Sequence, residues 1–259
     1  MFIDPAAPTP PPGAASDWTV PQRWEHFTAA DHRTWDLLFD RQRHALQGRA
    51  VSAFDEGIGL LGLDTPGIPR FDRLNETLCT RTGWEIVPVP GLVPDRIFFD
   101  HLSRRRFPAG NFIRSADRLD YLEEPDVFHD VFGHVPMLAD PAFAELMQVL
   151  GRLGLEAHRW GLGDRLARLY WYTIEFGLAR EDGELKIYGA GIASSFGESV
   201  YALESDVPER PRFDLKRVLE TPYRSDVFQP LYFVLDDMAD LLRIVETAEE
   251  EALGLVSEA

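Results

Sequence analysis

Two histidines five residues apart, His129 and His134, stand in the almost unbroken apolar run Pro125-Asp-Val-Phe-His-Asp-Val-Phe-Gly-His-Val-Pro136. A lone acid, Glu175, does the same in Tyr170-Trp-Tyr-Thr-Ile-Glu-Phe-Gly177. A carboxylate among apolar neighbours is costly unless it is paired or bound to a metal, so the fold has to bring a partner to Glu175. Two imidazoles and one carboxylate can hold one face of a six-coordinate ferrous ion and leave the opposite face for dioxygen and a co-substrate. On an ideal α-helix five residues advance about 500°, which would leave the two histidines roughly 140° apart. A common target therefore predicts a helix that starts at Pro125, ends near Phe132 and breaks, with Gly133 as a left-handed terminator and Pro136 barring continuation. The same residues also fit plainer roles: a histidine capping a helix end or satisfied in the core, and Glu175 paired with Arg165, Arg168 or Arg180. His26, His32, His44, His101 and His158 read as surface or core residues without chemistry.

The chain has 259 residues, 45% of them hydrophobic, enough for a substantial core in one large domain. Its net charge of −17 opposes nucleic acid and anionic membranes, which leaves a small molecule as the expected partner. Cys79 is the only cysteine, so no internal disulfide forms, and no run is long enough for a membrane span. The N-terminus shows no export signal, and a cytoplasmic address is expected. Residues 1–17 are read as a disordered proline-rich lead and 18–259 as a single domain.

Thr28 with Asp31 three positions later predicts the capped start of a long helix carrying Trp35, Leu38, Ala45 and Leu46 inward. A helix is predicted over 70–82, stopping at Gly83, followed by a strand from Trp84, a turn at Pro90-Gly91 and a further helix near Asp95. Asp140-Pro141 predicts the start of the next helix, and another is expected from Gly163 to Ala179. Asp182-Gly183 should turn the chain into a strand at Leu185–Tyr188, with a second strand candidate at 229–235 and a last helix in the acidic tail from Asp236. The fold class is mainly α with small β pieces, α+β.

The segment Glu-Pro-Asp-Val-Phe-His-Asp-Val-Phe-Gly-His-Val-Pro closely resembles the iron-binding segment of the pterin-dependent aromatic amino acid hydroxylases. The likeness continues through Tyr-Trp-Tyr-Thr-Ile-Glu-Phe-Gly-Leu, Tyr188-Gly-Ala-Gly-Ile-Ala-Ser-Ser-Phe-Gly-Glu198 and Phe228-Gln-Pro-Leu-Tyr-Phe, covering about residues 84–236. The short bacterial members that act on phenylalanine fit best, including Val89-Pro-Gly-Leu-Val-Pro upstream. The resemblance implies one catalytic domain of that type. It also implies a monomer, since the chain lacks room for the regulatory domain and tetramer-forming tail of animal members.

The resemblance further implies that His129, His134 and Glu175 bind Fe(II), with Asp126 and Tyr170 supporting them from behind. Arg114 would clamp the substrate carboxylate, and Trp171, Gly191 and Ser194 would line the amino acid pocket. A tetrahydropterin, tetrahydrobiopterin or a related bacterial pterin, would stack on Phe98 beside the backbone of Gly91, Leu92 and Val93, with Asp130 contacting it through water. Dioxygen, reduced pterin and a free aromatic amino acid are then the partners, and L-phenylalanine to L-tyrosine is the expected reaction. Bacterial relatives commonly carry Thr-Trp-Trp where this chain has Gly110-Asn111-Phe112. Loss of two indoles leaves tryptophan 5-hydroxylation or meta-hydroxylation of phenylalanine as the alternative. Leu122, where animal members usually have a hydroxyl residue, is a second departure. A zinc hydrolase is the remote alternative, although no Glu stands beside His129 as in the common zincin pattern.

Overall fold

The computed structural model describes residues 9–120, 124–241, 243, 244 and 247. Leu122 and most of the expected C-terminal helix lie outside the described residues. In chain order the elements are α1 (Ala29–Leu46), α2 (Ser52–Leu60), α3 (Phe71–Arg81), β1 (Glu85–Val89), α4 (Asp95–Ser103) and β2 (Arg106–Gly110). A π-helix, Phe128–His134, runs into α5 (Val135–Leu138), followed by α6 (Pro141–Arg159) and α7 (Gly163–Tyr170), which runs into a second π-helix, Trp171–Glu175. The remainder is β3 (Leu178–Glu181), β4 (Glu184–Ile187), α8 (Ala190–Ala193), α9 (Phe196–Glu204), α10 (Leu215–Glu220) and β5 (Val234–Leu235). The α+β class is as expected, and among the described residues no helix is long and apolar enough to cross a membrane.

The capping signals work as the sequence predicts. Thr28 and Asp31 form a reciprocal capping box at α1, and Asp140 accepts the Phe143 N–H at the start of α6. Several elements escape the pattern, among them α2, β2 and the short helices α8 to α10. In α2 the weak helix formers Gly57 and Gly59 mask the signal. Strand β2 contains Pro108, which is tolerated because it pairs only with β1, in parallel, in a two-stranded sheet where each strand keeps a free edge. In the second sheet β3 pairs antiparallel with β4 across the Asp182-Gly183 turn and parallel with β5. The helix expected to reach Ala179 ends earlier, because Leu178 already belongs to β3.

The expected lead through residue 17 needs correcting at its C-terminal end. Asp17 accepts from the Thr19 hydroxyl at 2.7 Å and from Arg106 at 2.9 Å, and its carbonyl meets Nε2 of buried His101 at 2.8 Å. These bonds draw the segment onto α4 and β2.

The core lies behind the first π-helix. Phe128 and Phe132 stack at 4.8 Å, Trp35 of α1 meets Phe128 at 5.3 Å, and Phe54 of α2 meets Phe132 at 5.7 Å. Helix α2 reaches α5 closely enough that a Cβ on Gly57 would sit 2.2 Å from the Pro136 carbonyl oxygen. Gly57→Ala should therefore push these backbones apart and destabilise the protein by about 1–3 kcal/mol. Urea denaturation measures this, and an unchanged midpoint would show that α2 is free to shift.

Candidate active site

The break expected after Phe132 turns out to be an expansion, and the helix expected to run unbroken from Gly163 expands too, at Trp171–Glu175. The chain does not stop at Gly133. It widens into a π-helix whose bonds run from residue i to i+5, so residues five apart stack along one face. His129 and His134 have that separation, and their rings lie 5.2 Å apart at 85°. Asp126 accepts the His129 N–H at 3.0 Å, three residues on, as N-terminal caps do. Gly133 is there for close packing and not as a terminator: a Cβ would lie 2.9 Å from the Ala190 carbonyl oxygen of α8. Pro136 stands in the first turn of α5, where its missing N–H is tolerated.

Glu175 ends the second π-helix, closed by the Phe176 N–H on the Trp171 carbonyl at 2.8 Å. The Thr173 hydroxyl donates to the Leu169 carbonyl four residues back, a bond that tends to bend a helix. The two π-helices place Nε2 of His134 3.2 Å and Nε2 of His129 3.7 Å from the Glu175 carboxylate. One ligand atom from each of the three lies within 4.8 Å of the others, and all three residues line one cleft of about 200 Å³. Arg165, Arg168 and Arg180 play no part in this cluster.

The electrostatics suit a cation. Burial pushes the Glu175 carboxyl up, but His134, His129 and the Gly191 backbone N–H outweigh it and hold it below the usual range. Burial lowers His129 to about 4, so its ring is neutral near pH 7 and keeps a lone pair for a metal. Nδ1 of His129 lies 2.7 Å from the Ser194 hydroxyl, which leaves Nε2 facing Glu175. This donor set, two imidazole nitrogens and a carboxylate pulled toward one point beside a cleft, fits a divalent transition metal.

The expected support and substrate residues divide differently from the sequence reading. Asp126 supports His129 through its backbone and not its ring; the ring's partner is Ser194, which was expected in the substrate pocket. Gly191, also expected there, sits against Glu175, where its backbone N–H helps hold the carboxyl below the usual range. Neither Ser194 nor Gly191 lines the cleft, whereas Trp171 does. Arg114 is not held out as a free clamp. Its Nε and Nη2 both bond Asp126 at 2.8 Å and its Nη1 bonds the Leu119 carbonyl at 3.1 Å, with Asp126 fully buried. Despite burial, Arg114 holds the Asp126 carboxyl below its ordinary value.

Gly91, Leu92, Val93, Phe98 and Asp130 all line the cleft, as do the ligands and Tyr170. Phe98 meets Tyr170 edge to face at 5.6 Å. Asp130 accepts the Gly110 N–H at 2.7 Å, and burial pushes its carboxyl up to about 7. Burial, with Glu175 and Asp130 nearby, raises the Tyr170 hydroxyl well above 10, so it stays protonated. The Gly110-Asn111-Phe112 departure lies outside the cleft wall. Asn111 donates to the carbonyls of Gln22 at 2.9 Å and Pro21 at 3.3 Å, and the Phe112 carbonyl accepts the Val127 N–H. Asp95, Phe107 and Tyr223 line the cleft without having been expected; Phe107 packs on the His134 ring at 4.9 Å. An apolar residue in a proline-containing strand and an acid in a helix's first turn carry no signal that separates a site role from a structural one.

The fold and the donor set define a non-haem metal enzyme with an aromatic-lined cleft. Comparison narrows the class: residues 19–250 match the model of the biopterin-dependent aromatic amino acid hydroxylases, and the chain belongs to that family. It is 55% identical over 241 residues to the phenylalanine-4-hydroxylase of Ralstonia nicotianae, covering 92% of this chain and 77% of that one. It is 55% identical over 235 residues to the one from Caulobacter vibrioides, covering 91% and 80%. The crystal structure of Chromobacterium violaceum phenylalanine hydroxylase with iron and phenylalanine bound superposes with a TM-score of 0.84 at 48% identity, covering 88% of this chain and 83% of that one.

Two outcomes follow from the hydrogen bonds. Ser194→Ala should weaken metal binding about 10–100-fold by freeing the His129 ring, as read by titration with Co(II). Arg114→Ala should destabilise the protein by about 3–5 kcal/mol, because it strands the fully buried Asp126 charge; urea denaturation at pH 7 reads it.

Proposed function

We propose that the protein hydroxylates the ring of free L-phenylalanine at carbon 4, giving L-tyrosine, with Fe(II) held by His129, His134 and Glu175 and a tetrahydropterin in the adjoining cleft. The observation that carries this reading is the convergence of those three donors on a cleft whose other walls include Phe98, Phe107, Tyr170 and Trp171. The relatives named phenylalanine-4-hydroxylase, and the C. violaceum structure that holds iron and phenylalanine, support both metal and substrate. Family membership leaves no place for the zinc hydrolase. The orientation of Asn111 away from the cleft gives no support to a pocket enlarged for an indole.

Iron and reduced pterin, when bound, supply the activation of dioxygen. The protein's own residues do the rest. Phe98 and the backbone of Gly91, Leu92 and Val93 offer a flat slot for a bicyclic ring, with Asp130 on the cleft wall as a nearby polar group. Arg114 has five N–H groups and uses three on Asp126 and Leu119, which leaves one on each Nη for a substrate carboxylate. Tyr170 presents a protonated, buried hydroxyl that has no protein partner among the described residues. The aromatic walls exclude water from the reacting groups. A cytoplasmic, monomeric protein completes the reading, supported by the strongly negative charge, which favours a soluble single chain.

Glu175→Gln should lower Fe(II) affinity at least about 10-fold and abolish phenylalanine-dependent turnover, because it removes the anionic donor. Anaerobic iron titration and product chromatography test both points. Unchanged iron binding would remove the ligand assignment, and meta-tyrosine as the wild-type product would remove the carbon-4 assignment.

A further inference from the structure

Trp171 forms one wall of the cleft, and two rings hold its plane. Tyr223, itself in the cleft wall, stacks on it at 4.2 Å between centroids with 14° between planes, and Phe176 lies at 4.6 Å, tilted by 34°. Stacking fixes a plane but leaves a ring free to slide or flip within it, because offset arrangements have similar energies. One hydrogen bond selects a direction: the indole N–H donates to Oε1 of Gln229 at 3.0 Å.

Gln229 is 1% exposed, while every other residue from 224 to 230 is exposed. Its amide is committed at both ends. Nε2 donates to the carbonyls of Arg224 at 2.8 Å and Val227 at 3.0 Å, which leaves only the oxygen to face an indole that can only donate. Its backbone N–H donates to Glu198 of α9 at 3.0 Å, and the same carboxylate oxygen accepts the Tyr232 hydroxyl. A buried acid thus anchors the glutamine, and the glutamine anchors both the indole and the loop that carries Tyr223.

We infer that Gln229 is a positioning residue for the substrate wall: it sets the direction of the Trp171 indole and the seat of Tyr223 behind it, and so the angle at which a substrate ring lies in the cleft. This rests on the reading of the Trp171 side of the cleft as the amino acid site, with the pterin on the Phe98 side. Gln229 bonds Trp171, Glu198, Arg224 and Val227, none of them a metal ligand or part of the Phe98 and Gly91–Val93 wall assigned to the pterin, so metal and pterin binding should not depend on it.

Gln229→Met keeps length and volume but removes all three side-chain hydrogen bonds. It should raise KM for phenylalanine about ten-fold through misplacement of the ring, with the affinities for Co(II) and for tetrahydropterin, measured by calorimetry, unchanged. Trp171→Phe keeps a ring but removes the shared N–H and should raise KM as well. Adding Gln229→Met to Trp171→Phe should then change KM less than about two-fold, because the partner is already gone. An unaltered KM in Gln229→Met, or the full loss repeated in the Trp171→Phe background, would overturn the assignment. If Gln229→Met does not fold, an unaltered KM in Trp171→Phe overturns it equally. Wild-type protein without phenylalanine-dependent turnover would instead sink the underlying site reading.

Discussion

Holding two imidazoles and a carboxylate within 4.8 Å of one another inside an apolar interior is the demand that shapes this molecule. Each group would be costly there alone. Together they offset one another: the facing histidines and the Gly191 N–H keep Glu175 ionised against its burial, and burial keeps His129 neutral and available as a donor. The result is a cluster with negative charge and two lone pairs aimed at one point, an arrangement that a divalent cation completes.

Delivering those groups requires a backbone that an ordinary α-helix cannot provide. The π-helix at Phe128–His134 brings residues five apart onto one face, and the π-helix at Trp171–Glu175 turns Glu175 toward them before the chain leaves into β3. Such expansions have poorer hydrogen-bond geometry than the α-helix and persist where packing holds them. Here Trp35, Phe39 and Phe54 pack on Phe128 and Phe132 from behind, and α8 presses against Gly133. Segment 190–194 lies against both ligand helices, since Gly191 packs against the Glu175 backbone and Ser194 bonds His129. The polar chain Arg114–Asp126–His129 connects the loop after β2 to the same centre through a fully buried carboxylate.

Much of this was legible before the structure. The capping box at Thr28, the Asp140 cap and the first-turn Pro141 depend on residues close in sequence, so their geometry follows from local chemistry. His129, His134 and Glu175 stood out because polar groups in apolar runs need partners, and the family resemblance is what made them candidate iron ligands. The roles of Ser194, Gly191 and Arg114 were not, since each depends on which distant group it meets. Ser194 finds its imidazole 65 residues away, and nothing beside it in the chain points there.

The sequence alone determined the α+β class, the candidate donor set and the aromatic character around it, because these depend on residue chemistry and on periodicity over a few positions. Only the tertiary structure decided that the helix at His129 widens instead of breaking, that Arg114 closes on Asp126, and that Gln229 holds the Trp171 indole. The physical reason is common to all three. The backbone and side-chain donors had several local solutions of similar energy, and packing against elements far away in the chain selected one.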